Sequence, residues 1–113
     1  MSAITTHILD VSKGCPARGV PVMLERQKTT GWEIVGNGAT DEDGRLRDLL
    51  GSKAILQTGN YRLTFDTETY FAQQRIEGFY PQVVVMFTVR DAGAHYHVPL
   101  LLSPFGYSTY RGS

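Results

Sequence analysis

Two of the three histidines of this 113-residue chain fall within its last nineteen residues, in His95-Tyr96-His97-Val98-Pro99-Leu100-Leu101-Leu102-Ser103-Pro104. The sequence then closes on Phe105-Gly106-Tyr107-Ser108-Thr109-Tyr110-Arg111-Gly112-Ser113, which carries three aromatics and a guanidinium. Termini usually fray and hold dispensable polar residues. A terminus of this composition is expected to be packed and to supply groups to a site. A neutral imidazole is suited to take a proton from water near pH 7, because its reference pKa is about 6.5. His7, on the opening apolar segment, and Arg45, directly after Asp41-Glu42-Asp43-Gly44, are the other candidates. Each also has a plainer reading when taken singly. His7 reads as a hydrogen-bonded structural histidine, Arg45 as a solvated arginine like Arg47, and Tyr110 as a packing residue. The single cysteine, Cys15, lies in Lys13-Gly14-Cys15-Pro16 and reads as a loop thiol in a turn rather than a nucleophile.

Three histidines also permit a metal reading. His95 and His97 project together at i, i+2, and His7 could complete a three-histidine zinc site with an open position for water. No Asp or Glu is obviously placed to support such ligands, and neither metal nor cofactor is expected.

The elements that must position these groups follow a period of two. Ile4 to Val11 is a strand ended by Ser12-Lys13-Gly14, and Val20, Val22 and Leu24 share one face of the next. Trp32-Glu33-Ile34-Val35 returns after Lys28-Thr29-Thr30-Gly31 as a hairpin. Asp41 to Gly44 is a turn in which Gly44 takes positive φ. Tyr61 to Phe65 alternates again. Thr67 to Gln74 is the one helix, with Thr67 as its cap. Val83 to Val89 is apolar on both faces and predicts a central strand covered on both sides. Ala94 to Ser103 is the next strand, with His95, His97, Pro99 and Leu101 on one face and Tyr96, Val98, Leu100 and Leu102 on the other. Pro99 and Leu101 then need cover, most economically from another subunit. Seven or eight short strands at this spacing predict an antiparallel sandwich.

Composition narrows the function. The chain is 42% hydrophobic and 19% charged, the balance of one soluble globular domain. Eleven basic and eleven acidic residues cancel without a basic cluster, which argues against nucleic-acid or anionic-membrane partners. No apolar run approaches the ~20 residues of a membrane span. Met1 to His7 lacks the basic and apolar regions of a secretory signal, Arg111-Gly112-Ser113 is not a peroxisomal address, and Cys15 has no partner. A cytoplasmic location is expected.

Taken together the segments resemble the 5-hydroxyisourate hydrolases, the transthyretin-related enzymes of urate breakdown. The resemblance runs nearly end to end. It is carried by Thr6-His7-Ile8-Leu9-Asp10, Asp43-Gly44-Arg45, Gly59-Asn60-Tyr61-Arg62, Tyr70-Phe71 and Phe79-Tyr80-Pro81. It continues through His95 to Ser103 and ends on Tyr110-Arg111-Gly112-Ser113, its most specific mark. Transthyretin, the hormone carrier, shares the fold but lacks this combination. The resemblance implies a single domain over 1–113, an all-β, transthyretin-like antiparallel sandwich with one short helix. It implies a homotetramer, a dimer of dimers with active sites at the dimer–dimer interface. It also implies cofactor-free hydrolysis of 5-hydroxyisourate to 2-oxo-4-hydroxy-4-carboxy-5-ureidoimidazoline. Carried over residue by residue, His7 and His97 position and activate water and Arg45 binds the substrate oxygens. Tyr110 and Ser113 close the site around the ring. His7, Arg45, His97 and Ser113 are thus the implied catalytic set, and His7, Arg45 and Tyr110 the implied binding set. Which histidine is the base stays open, and His95 is the outer histidine of its motif. The competing readings are a transthyretin-type binding module and a zinc hydrolase.

Overall fold

Residues 3–51 and 55–113 are described by a computed structural model. The strands in chain order are β1 (Ile4–Asp10), β2 (Cys15–Pro16), β3 (Pro21–Lys28), β4 (Gly31–Ala39) and β5 (Arg45–Leu46). They continue with β6 (Gly59–Phe65), β7 (Val83–Val89), β8 (Tyr96–Ser103) and β9 (Gly106–Thr109), and helix α1 (Thr67–Ala72) links β6 to β7. One sheet runs β2-β1-β8-β9 with β5 also on β1, and the other runs β4-β3-β6-β7. Among the described strands every pairing is antiparallel except β1 with β8, which is parallel from Ile4↔Tyr96 to Asp10↔Leu102. That exception lets two strands from opposite ends of the chain lie side by side.

Alternation decides which face each residue takes. On β1 the side chains of Ile4, Thr6, Ile8 and Asp10 turn inward, and Tyr96, Val98, Leu100 and Leu102 do so on β8. They meet Leu24, Leu63 and Phe65 of the other sheet in the core. Thr5, His7 and Leu9 therefore share the outer face with His97, Pro99 and Leu101. Pro99 is buried and Leu101 half-buried within the single chain, so the chain itself supplies part of the cover that the sequence assigned to a second subunit. Gly112 lies against Pro99 and provides some of it.

Four local expectations change. Val83 to Val89 is an edge strand rather than a central one: Val84 and Met86 face outward and are 45% and 62% exposed. Apolar residues on both of its faces do not report cover from both sides. The helix ends at Ala72, and its N-cap is Asp66, which accepts from the Thr69 amide at 3.1 Å. Thr67, expected to cap, is buried and donates instead to the Tyr80 carbonyl at 2.7 Å. Cys15 and Pro16 are not in the turn but form β2, paired with Asp10 and Leu9.

Two polar clasps hold neighbouring elements together. Buried Asp10 accepts from the Tyr70 hydroxyl of α1 at 2.7 Å and from the Ser12 hydroxyl at 2.6 Å. Burial opposes its charge, but the hydrogen bonds from Ser12, Tyr70 and the Lys13 amide outweigh it and hold the carboxyl below its usual value. The Tyr70 phenol, desolvated and beside that carboxylate, is pushed up to about 12. On the other sheet, Arg62 pairs with Glu25 at 2.7 Å and lies 4.2 Å above the Trp32 ring.

Candidate active site

The site is assembled on β1, which has β8 on one side and β5 on the other. His7 lies opposite Arg45 across the β1–β5 pair and opposite Pro99 across the β1–β8 pair. Thr5 lies opposite His97. Arg45 owes its place to the turn before it. Asp41 Oδ1 accepts from the amides of Asp43 and Arg45, both at 2.9 Å, and Gly44 has φ of 74°. A β-carbon on Gly44 would also collide with the Ile8 carbonyl, so the position needs glycine on two counts. The Arg45 amide is the largest influence holding the Asp41 carboxyl below its ordinary range.

A cleft of about 190 Å³ opens here, lined by Thr5, Thr6, Arg45, Arg47, His95, His97 and Ser113. His7 borders it, close enough that its charge acts on His97. His7 Nε2 lies 2.8 Å from the Asp43 carbonyl. A carbonyl has no proton to give, so Nε2–H is the donor. His97 Nδ1 lies 2.8 Å from the Thr5 hydroxyl, and His95 Nε2 lies 3.1 Å from the same oxygen. Burial, then the neighbouring positive charges of His7, His95 and Arg45, lower the pKa of His97 below the ordinary histidine value. The Thr5 backbone, which favours the charged ring, only partly opposes this. His97 is therefore a neutral imidazole near pH 7, the form a general base requires.

The terminus reaches the cleft by being stitched along β8. Thr109 Oγ1 donates to the Pro99 carbonyl at 2.7 Å, and the Gly112 amide donates to the His97 carbonyl at 2.8 Å. Arg111 stacks 4.5 Å over the Tyr96 ring. Gly112 is flush with the imidazole, since a β-carbon there would stand 2.6 Å from His97 Cδ2. Ser113 is thereby delivered to the cleft.

Of the residues expected at the site, His97, Arg45 and Ser113 line one cleft and His7 adjoins it. Tyr110 does not join them in the single chain. It is 58% exposed and lines a different cavity of about 310 Å³ at the β7–β9 edge, with Phe87, Arg90 and Arg111 among its neighbours. That larger cavity holds no histidine. Among the described residues, no three His, Cys, Asp or Glu side chains group as a metal-ligand set. The three histidines are held by Thr5 and the Asp43 carbonyl instead.

The chain matches the HIUase/Transthyretin family over residues 4–112. It belongs to that family. It is 47% identical over 110 residues to the 5-hydroxyisourate hydrolase of Salmonella typhimurium, covering 97% of this chain and 80% of that protein. The Klebsiella pneumoniae 5-hydroxyisourate hydrolase superposes with a TM-score of 0.84 at 38% identity, covering 97% of this chain and 92% of that one. Sea bream transthyretin, solved with thyroxine, superposes with a TM-score of 0.91 at 33% identity, over 98% and 95% of the two chains. The backbone of this HIUase/Transthyretin family member is thus shared by a 5-hydroxyisourate hydrolase and a transthyretin alike, and its side chains must decide between them.

Sequence reasoning passed over two residues of the cleft. Thr5 touches both late histidines. Its position two residues before His7 placed it on the correct face, but nothing local announced that His97 lies opposite. Arg47 was set aside as ordinary. It is exposed, as expected, yet it lines the cleft beside Arg45.

Proposed function

We propose that this protein hydrolyses 5-hydroxyisourate, in urate degradation, with the whole chain 1–113 acting as one hydrolase domain. The observation that carries the reading is the convergence of His97, Arg45 and Ser113 on one cleft bordered by His7, in a chain whose relatives are named for that reaction. In the step assigned, His97 takes a proton from water and the hydroxide adds to the ring amide carbonyl. The carbon–nitrogen bond then breaks, the ring nitrogen receives that proton from His97, and the new carboxylic acid releases its own proton to solvent, giving 2-oxo-4-hydroxy-4-carboxy-5-ureidoimidazoline. Base assistance of this kind is worth ~10²–10⁴ in rate. The Arg45 guanidinium binds the substrate oxygens and steadies the negative charge of the tetrahedral intermediate, a contribution on the order of 10²–10³ for one fixed donor. His7, held as Nε2–H by the Asp43 carbonyl, orients the water and substrate, and Ser113 closes the cleft. The reaction uses no cofactor.

The working form is a homotetramer, a dimer of dimers whose sites lie at the dimer–dimer interface, in the cytoplasm. Supporting this are β7 and β9, each the last strand of its sheet, and the exposed aromatics Phe79 and Phe105. The binding role of Tyr110 belongs to that assembly, since within one chain Tyr110 lies outside the cleft.

The test is the loss of ultraviolet absorbance of freshly prepared 5-hydroxyisourate against its spontaneous decay. Decay no faster with protein than without it would leave a carrier of transthyretin type.

A further inference from the structure

We propose that Asp41 is a positioning residue: one oxygen of its carboxylate, in the turn before β5, sets both His7 and Arg45 at the cleft. Its effect on turnover rests on the hydrolytic reading, whereas the hydrogen bonds that make the clasp do not. Asp41 Oδ1 takes the Asp43 amide and the Arg45 amide at once, each at 2.9 Å. The Asp43 carbonyl in turn takes the Nε2–H of His7 at 2.8 Å. Asp41 therefore reaches His7 through the Asp43 peptide and Arg45 through its own amide.

The pairing of β5 with β1 is too short to do this alone. It joins two residues on each strand, His7 with Arg45 and Thr6 with Leu46. The backbone of the turn adds its own bonds. The Gly44 amide donates to the Asp41 carbonyl and the Asp41 amide to the Arg45 carbonyl, both at 2.9 Å, and the Ile8 amide donates to the Gly44 carbonyl at 2.8 Å. These close the turn onto β1 and do not depend on the Asp41 side chain. The carboxylate adds the finer constraint, since two amides aimed at one oxygen fix the peptides on either side of Gly44.

Asp41, Glu42 and Asp43 are exposed, so a change at Asp41 disturbs no core packing. The Arg45 amide, and then the Asp43 amide with the charges of Arg47 and Arg45, hold the Asp41 carboxyl below its ordinary range. It is therefore ionised wherever the histidines titrate. Two properties of the group must be told apart, its negative charge beside two arginines and its oxygen as an acceptor. The role proposed belongs to the acceptor. Asparagine separates the two, because its side-chain oxygen can take the same amides without a charge.

Asp41→Ala removes both acceptor bonds and leaves the backbone bonds of the turn. It should lower kcat/KM by ~10–10²-fold, the loss that a misplacement near 1 Å can cause. Asp41→Asn should recover most of that loss, and circular dichroism should show both variants folded. Asp66→Ala is the control. It removes a carboxylate–amide bond of similar length, to Thr69 at 3.1 Å, from the cap of α1, and Asp66 does not line the cleft. It should lower the melting temperature and leave kcat/KM at the wild-type value. The second readout needs no turnover. In protein labelled with ¹⁵N-histidine and held above the histidine titration range, the Nε2–H of His7, assigned by comparison with His7→Asn, should give a cross-peak protected from water exchange. In Asp41→Ala it should broaden or vanish, and in Asp41→Asn it should persist. A cross-peak absent from the wild type or untouched by Asp41→Ala would overturn the proposal. So would wild-type turnover in Asp41→Ala, Asp41→Asn as impaired as Asp41→Ala, or Asp66→Ala losing as much turnover. A wild-type protein that does not hydrolyse 5-hydroxyisourate would sink the proposed function instead, while the His7 cross-peak would still decide the role of Asp41.

Discussion

At the scale of single residues, the site depends on which imidazole is neutral and which cation points where. His97 has its pKa held below the ordinary histidine value by burial and by the charges of His7, His95 and Arg45. Its basic form therefore persists to lower pH than that of a free imidazole. The acid limb of kcat/KM is expected below the ~6.5 of an unperturbed histidine, with activity falling as pH falls through the His97 value. His97→Asn should lose ~10²–10⁴ in kcat and abolish that limb. An unchanged limb in His97→Asn would move the base elsewhere. The paired arginines give a sharper comparison. Both line the cleft, so both exert similar fields on a substrate. Arg45 is fixed by its strand pairing with His7 and by the Asp41 turn, whereas Arg47 is exposed beyond β5. Arg45→Lys, lacking the planar fork, should lose on the order of 10²–10³ in kcat/KM, and Arg47→Lys should be near neutral. Equal losses at the two positions would reduce the role of Arg45 to bulk charge.

At the scale of elements, the terminal segment works because Gly112 has no side chain. The bridge between His97 and Gly112 brings the backbone onto the imidazole, and a methyl group would meet His97 Cδ2 at 2.6 Å. Gly112→Ala should tilt that ring or lift the segment from β8. Activity should fall at least ~10-fold, since displacements near 1 Å at a catalytic group cost that much and more. The melting temperature should barely move, because the residue lies outside the core. Deleting 110–113 asks the wider question. If the truncated chain keeps its fold and oligomeric state but loses turnover, the segment belongs to the site. Native mass spectrometry together with kinetics separates that outcome from loss of assembly, which would show activity and tetramer failing in step.

The whole molecule is held by a core between the two sheets and by buried polar clasps, of which Asp10 with Tyr70 joins β1 to α1. Tyr70→Phe keeps the ring and removes the hydroxyl from buried Asp10. It should cost about 1–3 kcal/mol in denaturant unfolding, the range for leaving a buried acceptor short of a donor. The same pair sets an acid dependence. The Asp10 carboxyl has a lower pKa folded than unfolded, so its stabilisation is present above the unfolded value of about 3.9. It is lost as pH falls through the folded value, and Asp10→Asn should flatten that part of the acid-unfolding curve.

How much of this could be read from the chain follows from the range over which each signal acts. Alternating apolar residues report a face, because successive side chains on a strand point to opposite sides. The strands expected over Ile4 to Val11 and Ala94 to Ser103 were therefore legible, with His7 and His97 each on one face, although the folded strands stop at Asp10 and start at Tyr96. The positive φ at Gly44 was legible too, since Asp-Gly turns act over four residues. What lies across a strand is set by topology, and no local pattern encodes it. The parallel pairing that seats Thr5 against His97 spans 92 residues and appears only in the folded chain. For the same reason Val83 to Val89 could look central while lying at an edge, and Asp66 could displace Thr67 as the cap once the Tyr80 carbonyl claimed the Thr67 hydroxyl. Tyr110 was legible as a residue worth placing, but its direction was settled by the course of the last four residues over β8. Residue types and faces were written in the sequence; the partners of Thr5, Gly112 and Tyr110 were decided by tertiary structure, because hydrogen bonds and contacts between distant segments exist only after the strands have chosen their neighbours.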